Sequence, residues 1–179
     1  MKKAIVLVVA TICVVCTAVA EQRVGPFLSA MASVGDESGS AFGGGLKYEW
    51  LSSQNFGINL VAGYLNDDDM GLIPLEFGPV YVISLDPLAI TIGAGGLYGI
   101  PDDSDIDAAL GFYAATGIRG PVSDGIEWFA ELQYVNVKGD DEVSTSRRDF
   151  SWGHTVTTIT KPSLDFSAVG LNAGILWKF

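Results

Sequence analysis

The chain is short of positive charge, short of charge altogether, and poorly suited to long helices. Its 179 residues carry 10 Lys plus Arg against 21 Asp plus Glu, a formal net charge of −11. Nucleic acid is therefore excluded as an expected partner, because a polyanion needs a basic surface. Charged residues make up 17% and hydrophobic residues 49%, which excludes a disordered chain and is unlike a soluble surface. The 22 glycines and 7 prolines disfavour long helices.

Cysteine is absent beyond residue 20. Lys2 and Lys3 precede an apolar run over 4–16, and the small-x-small pattern Ala18-Val19-Ala20 follows it. This order predicts a secretory signal peptide over 1–20, cleaved after Ala20, which leaves 21–179 as a single domain. A membrane anchor is disfavoured because a spanning helix needs about 20 apolar residues. Both cysteines lie in the predicted signal, so the processed chain is expected to lack disulfides and thiolate chemistry.

No apolar stretch of 18 residues occurs after the signal, which argues against helical membrane spans. Apolar residues instead recur at every second position, which predicts β-strands. Eight strands are predicted, at about 27–34, 42–50, 56–64, 73–83, 88–98, 109–119, 126–135 and 168–179. Pro74 and Pro79 lie in the fourth, where each removes a ladder donor, so a bulge or an early strand end is expected there.

The connections between the predicted strands alternate in length and charge. Compact turns are predicted at 51–55, 84–87 and 120–125. Longer, acidic connections are predicted at 35–40, 66–71, 101–107 and 139–165. Short turns on one side and long loops on the other are typical of an outer-membrane β-barrel. The even strand number places the beginning of the first strand and the end of the last on the short-turn side.

Whether the apolar face of the strands points inward or outward distinguishes a soluble β-sandwich or lipocalin from a membrane barrel. In soluble folds the apolar face points inward, but here the other face is rich in glycine and has few charges. We therefore expect the apolar face to meet lipid. An eight-stranded barrel has an interior just wide enough for side chains. An aromatic girdle at the bilayer interface is predicted from Trp50, Tyr64, Tyr98, Trp128, Tyr134 and Trp177.

The last strand, together with the signal peptide, resembles small outer-membrane β-barrel proteins of Gram-negative bacteria. Its alternating residues are Leu171, Ala173, Ile175, Trp177 and Phe179. The pattern is similar to that of the OmpA- and OmpX-type eight-stranded transmembrane domain. The resemblance implies an all-β, antiparallel, up-and-down transmembrane barrel in the outer membrane. It also implies that the terminal strand is read by the barrel-insertion machinery, and that outer-membrane lipid and lipopolysaccharide surround the protein.

Charged residues on the inward face predict a polar network in the lumen. Its predicted members are Lys47, Glu49, Glu76, Arg119, Glu127, Glu131 and Lys178. Charges in so narrow a space must be paired or solvated. An ionic core that plugs the barrel is favoured over a gated ion or proton path, because eight strands leave little room for a channel.

Two further patterns give no assigned catalytic, cofactor-binding or metal-binding residue. The alternating carboxylates at 103–107 resemble part of a calcium loop but lack its glycine and distal glutamate. With 67–69 they would bridge divalent cations to lipid head groups, although a solvated acidic loop is favoured. Asp149, Ser151 and the single histidine, His154, are the residue types of a lipid-modifying enzyme. No arrangement of strands clearly unites them, and a loop histidine is favoured.

The segment 139–165 is the most distinctive part of the chain. Residues 155–160 are strongly β-prone, and a hairpin is predicted to extend the last two strands above the membrane, with its turn near 150–153. Arg147, Arg148, Phe150 and Trp152 would then contact a surface partner or the sugar of lipopolysaccharide, or the hairpin edge would accept a strand. A packed external loop without a partner is the equal alternative.

Three functions follow from these patterns. The favoured one is a non-enzymatic, integral outer-membrane protein that serves envelope integrity or surface interaction through its loops. The second is a small pore for ions or solutes. The third is an outer-membrane lipid-modifying enzyme. No cofactor is expected.

Overall fold

The computed structural model describes residues 21–34, 39–52, 55–66, 71–102, 108–138, 142–150, 153–161 and 165–179. These ranges hold no helix that is long and apolar enough to cross a membrane. They form the strands β1 (Glu21–Ser33), β2 (Ser40–Leu51), β3 (Phe56–Asn66), β4 (Gly71–Leu85), β5 (Leu88–Pro101), β6 (Ala109–Ser123), β7 (Ile126–Lys138), β8 (Glu142–Phe150), β9 (Gly153–Lys161) and β10 (Asp165–Lys178).

Eight of these strands close into one antiparallel barrel in the order β1-β10-β7-β6-β5-β4-β3-β2. Strands next to each other in sequence are neighbours in the barrel, except where β7 is followed by β10. The first and last barrel strands complete the ring, for example through the pair Leu28 and Ala173. Closure leaves no strand edge open within the barrel. The predicted eight-stranded antiparallel barrel is confirmed.

The predicted hairpin within 139–165 is present as β8 and β9. The two strands pair from Glu142 with Lys161 to Phe150 with Gly153. Their register continues that of the flanking barrel strands, because Lys138 pairs with Asp165 and Glu142 pairs with Lys161. The predicted extension of the last two strands is therefore supported, and the connecting residues 139–141 and 162–164 lie outside the described ranges.

The expected bulge or early end at the two prolines of β4 is also wrong. This strand runs unbroken over Gly71–Leu85. Pro74 keeps its register with Gly99 of β5, and Pro79 keeps its register with Ile58 of β3. In an antiparallel strand, residues of opposite parity direct their backbone groups to opposite neighbours. Pro74 therefore weakens the pairing of β4 with β3, and Pro79 weakens its pairing with β5. At each proline the pairing with the other neighbour keeps β4 continuous.

The short connections lie at one end of the barrel, as predicted. Two residues, Asp86 and Pro87, join β4 to β5, and Asp124 and Gly125 join β6 to β7. The latter turn is tighter than expected because β6 continues to Ser123, past a register shift after Pro121. Gly125 has a φ of +80°, a conformation that favours glycine. The beginning of β1 and the end of β10 lie at this turn side, where Arg23 pairs with Lys178.

Side-chain exposure confirms which face of the barrel points outward. Leu28, Leu110 and Leu171 on the outer face are 75%, 72% and 63% exposed. Inside, Tyr113 and Leu176 are each 1% exposed, and polar side chains are buried with them. The barrel therefore has an apolar exterior and a packed, partly polar interior. This is the reverse of a water-soluble sandwich.

Glycine on the inner face allows neighbouring strands to approach closely, and Gly25 shows this best. A Cβ atom built there would lie 1.7 Å from the carbonyl oxygen of Ile175 in β10. Gly96, in contrast, has no atom within 4 Å of its built Cβ and lies on the exposed face of β5. The two positions form a matched pair for substitution.

We predict that Gly25→Ala lowers the free energy of unfolding by about 1–3 kcal/mol, because the added methyl forces β1 and β10 apart at the closure. Gly96→Ala should change it little. Urea unfolding of the refolded protein in detergent micelles, followed by tryptophan fluorescence, measures both. Equal unfolding midpoints for the two variants would contradict this view of the closure.

Candidate functional site in the barrel lumen

The middle of the lumen is held by a chain of ion pairs between facing strands. The Lys47 ammonium contacts the Glu131 carboxylate and lies 3.3 Å from Glu49 Oε1. Arg119 Nη1 lies 2.8 Å from the other oxygen of Glu49. Lys47 and Glu49 are 3% and 1% exposed. These charges are therefore neutralised by one another rather than by water, as burial requires.

The turn-side mouth of the barrel continues this network toward solvent. Arg23 Nε lies 3.0 Å from Glu127 Oε2, which is also 3.7 Å from Arg119 Nε. Arg23 also contacts Glu21, and Lys178 Nζ lies 2.9 Å from the same carboxylate. All five residues line a cavity of about 310 Å³ at this end. We call this cavity the turn-side vestibule.

The loop-side half of the lumen changes from ionic to amide and then to apolar contacts. Gln133 Nε2 donates to Glu76 Oε1 at 2.7 Å, and Asn172 Nδ2 donates to Gln133 Oε1 at 2.7 Å. Beyond them lies a buried apolar cluster, which we call the loop-side plug: Met31, Leu65, Leu72, Leu97, Ala109, Tyr113, Val135, Val137 and Ala168. The vestibule therefore leads into an interior that is filled with side chains.

The structure places six of the seven predicted network residues inside the barrel: Lys47, Glu49, Glu76, Arg119, Glu127 and Glu131. Lys178, the seventh, lies at the turn-side mouth, where it lines the vestibule. Its side chain is 46% exposed and pairs with Glu21 at the mouth, because β10 ends there and the long side chain reaches solvent.

Sequence reasoning missed several lumen residues, of which Arg23 carries the most charge. It is 5% exposed, but the first strand was expected to begin near residue 27. Period-two alternation places Gln133 and Asn172 on the inward face, but it does not show that their amides extend the ion-pair network.

The predicted girdle aromatics lie at the two ends of the outer face. Trp50, Trp128 and Trp177 are near the turn side, where β2 and β10 end and β7 begins. Tyr64, Tyr98 and Tyr134 are near the loop side, within a few residues of the ends of β3, β5 and β7. The separation of indole and phenol rings between the two ends was not predicted. Contact with the bilayer interface stays a prediction.

The C-terminal strand presents its alternating residues outward. Leu171, Ile175 and Trp177 are 63%, 41% and 45% exposed. Phe179 follows the strand and is 68% exposed. Its backbone exchanges two hydrogen bonds with Gln22 of β1, of 3.1 and 3.4 Å. The terminal aromatic ring is thus fixed through its backbone at the barrel closure, and the insertion-signal role stays a prediction.

Most of the other candidate positions lie outside the described residues. These are the acidic runs 67–69 and 103–107 and the loop residues Ser151 and Trp152. Asp149 and His154 stand opposite one another in the register of β8 and β9. Within the described ranges, no group of three or more His, Cys, Asp or Glu residues is placed to hold a metal ion.

One carboxylate beside the acidic loops does have a defined role. Asp102 accepts hydrogen bonds from the Gly71 amide at 2.9 Å and from the Tyr64 hydroxyl at 3.1 Å. The Asp102 amide in turn donates to the Gly71 carbonyl at 2.9 Å. Asp102 therefore ties the loop-side ends of β3, β4 and β5 together.

Comparison with known proteins identifies the fold. No family model and no curated protein sequence matches the chain. Among solved structures, Neisserial surface protein A superposes with a TM-score of 0.62 at 13% identity, covering 89% of this chain and 97% of that one. The outer membrane protein OprG from Pseudomonas aeruginosa gives 0.60 at 12%, covering 90% and 96%. This chain has the fold of a small outer-membrane barrel.

A third solved structure extends the same likeness. Ail, the attachment invasion locus protein of Yersinia pestis, matches with a TM-score of 0.50 at 10% identity, covering 89% of this chain and 97% of that one. Identities this low establish the fold alone. The chemistry of this barrel must therefore be argued from its own residues.

The ion-pair chain predicts a large stability difference between two lysine substitutions. Lys47→Met should lower the free energy of unfolding by about 3–5 kcal/mol, because it leaves Glu131 buried without its cation. The double variant Lys47→Met with Glu131→Gln should recover most of that loss. Lys178→Met, at the mouth, should cost less than about 1 kcal/mol. Urea unfolding in micelles measures all three, and equal losses for the two single variants would refute the pairing.

Proposed function

We propose that this protein is a non-enzymatic, non-conducting barrel of the Gram-negative outer membrane that serves surface contact through its loop-side hairpin. The observation that carries the proposal is the filled lumen. Buried ion pairs occupy its centre and the loop-side plug closes it above. A barrel whose interior is filled with side chains serves as a membrane anchor. Its function then depends on the loops that the anchor holds at the surface.

The hairpin β8–β9 is the element that supports surface contact. It pairs over nine residue pairs, from Glu142 with Lys161 to Phe150 with Gly153. A two-stranded sheet has two unpaired edges, and such edges accept an additional strand from a partner. Outer-membrane barrels place their longer loops outside the cell. Two structural neighbours are named a surface protein and an attachment protein, and surface exposure is the property we extend to this chain.

The proposed partners follow from the barrel's other surfaces. The apolar exterior suits outer-membrane lipid, and the loop end suits lipopolysaccharide. The exposed alternation Leu171, Ile175 and Trp177, followed by Phe179, supports recognition by the barrel-insertion machinery. Export by a signal peptide over 1–20 belongs to the same proposal.

A small pore is the second candidate function, and the turn-side vestibule favours it. This cavity of about 310 Å³ is lined by charged side chains, including Arg23, Arg119 and Glu127. An ion could enter it from the turn side. Passage onward requires the Lys47–Glu131 contact and the loop-side plug to move together.

We predict that the purified protein shows no stable conductance steps in planar lipid bilayers. A variant that lacks 142–161 should be equally silent, because the seal lies in the lumen and not in the hairpin. Incorporation into the bilayer is checked by recovering heat-modifiable protein from the membrane. Stable open-channel steps in the wild type would overturn the anchor function and establish the pore.

The orientation of the hairpin can be tested by cysteine labelling, since 21–179 contains no cysteine. Ser146→Cys places a thiol in β8, and Asp124→Cys places one in a short turn. A membrane-impermeant maleimide should label only the first in intact cells and both after the outer membrane is permeabilised. Labelling of Asp124→Cys in intact cells, with Ser146→Cys protected, would reverse the proposed orientation.

A further inference from the structure

A small internal cavity in the loop-side half of the lumen is lined by several oxygen-bearing side chains, together with Lys47, Gln133 and four apolar residues. Its volume is about 10 Å³, room for one water-sized occupant. Oxygen-bearing side chains from five different strands surround it: Asn59, Glu76, Tyr113, Glu131 and Asn172. We call it the inner oxygen site. It is separate from the turn-side vestibule, with which it shares no lining residue.

Three oxygens at this site form no well-aligned hydrogen bond within the protein, although the side chains of Tyr113 and Asn59 lie close to each other. They are Asn59 Oδ1, Tyr113 Oη and Asn172 Oδ1. Their residues are only 5%, 1% and 7% exposed, so bulk water does not satisfy them. Nearly all buried polar atoms in folded proteins have a partner. Three oxygens without a well-aligned partner around one small space therefore point to an occupant that oxygen atoms attract.

The charges around the site do not balance. The Lys47 ammonium is engaged by Glu131 and Glu49, and Arg119 is engaged by Glu49 and Glu127. Among the described residues, none forms an ion pair with Glu76, which is 5% exposed and accepts one hydrogen bond from the Gln133 amide. An isolated buried carboxylate is strongly destabilising. When Glu76 is ionised, it therefore adds to the lumen a negative charge that no described cation contacts directly.

We propose that the inner oxygen site binds a single monovalent cation, with Na⁺ as the ligand tested. The Glu76 carboxylate supplies the one compensating charge, and the oxygens of Asn59, Tyr113 and Asn172 supply neutral ligands. Hard cations take carboxylate, amide and hydroxyl oxygens. A water molecule would satisfy the oxygens but not the charge. A proton on Glu76 together with a bound water would satisfy both, so the experiment must distinguish that pair from a cation.

This site does not depend on the proposed surface role. Glu76 and Tyr113 belong to β4 and β6, far along the chain from the hairpin, and the balance of charges holds whether or not the barrel conducts. Its consequence is that the loop-side half of the lumen needs a bound ion to complete its packing.

Unfolding of the refolded protein in a zwitterionic detergent tests the proposal. Urea titrations at pH 8 are compared in NaCl and in choline chloride at equal ionic strength. Above the dissociation constant, each tenfold rise in free Na⁺ should lower the unfolding equilibrium constant about tenfold, as linkage requires for one ion bound to the folded state. Choline, which is too large for the cavity, should have no such effect.

Three variants locate the effect. Glu76→Gln should abolish the Na⁺ dependence, while its amide oxygen still accepts the Gln133 hydrogen bond. Tyr113→Phe keeps the charge and removes one ligand oxygen, so the dependence should move to higher Na⁺ concentration. Asp124→Asn, in an exposed turn, should behave like the wild type and so reports general salt effects. Line broadening in ²³Na NMR of the wild-type protein gives an independent readout if Glu76→Gln does not fold.

Two results would overturn the proposal. Identical unfolding in NaCl and choline chloride, with no excess ²³Na broadening, would mean that a water molecule fills the site. The second is a free energy of unfolding that does not depend on Na⁺ but increases on acidification in the wild type and not in Glu76→Gln. That result would mean that Glu76 holds a proton instead.

Discussion

The narrow interior of an eight-stranded barrel is the constraint on which the rest of this structure depends. Such a ring leaves space for side chains but little for water, so every inward charge must find a partner inside. Lys47 meets this demand by contacting two carboxylates, and Glu49 meets it by contacting two cations. The same shortage of space explains the inward glycines, because strands that approach as closely as β1 and β10 leave no room for a Cβ atom at Gly25.

The exterior follows from the opposite solvent. The polar side chains of the barrel point inward, so the outer face consists largely of Leu, Phe and Ile. Leu110 is 72% exposed and Phe112 is 51% exposed, and an apolar surface of this kind would favour aggregation in water. Hydrocarbon removes that penalty, and a closed barrel satisfies its backbone groups without water. The lumen is also graded, from charged groups at the turn side to the apolar loop-side plug. This gradient supports the proposed anchor function over a conduit.

The sequence predicted the features that depend on one strand at a time. Period-two alternation along β10 is enough to assign Leu171 outward and Asn172 inward, and loop lengths are enough to assign the two ends. Features that depend on closure were not predictable. Lys47 and Glu131 are 84 residues apart in the chain, and only the register of the closed ring brings them together. Arg23 was missed because Pro26 and the polar residues 21–23 obscure the alternation. Periodicity assigns Lys178 to the inward face but does not show that its side chain reaches solvent at the mouth.

The central claim is that the apolar outer face contacts hydrocarbon, and tryptophan quenching tests it most directly. The refolded protein is reconstituted in vesicles whose lipids carry bromine at defined depths along the acyl chain. Trp177 and Trp50, at the turn side of the outer face, should be quenched strongly by bromine near the head groups and weakly by bromine at the bilayer centre. Fluorescence that no brominated lipid quenches, but that aqueous iodide does, would contradict the account.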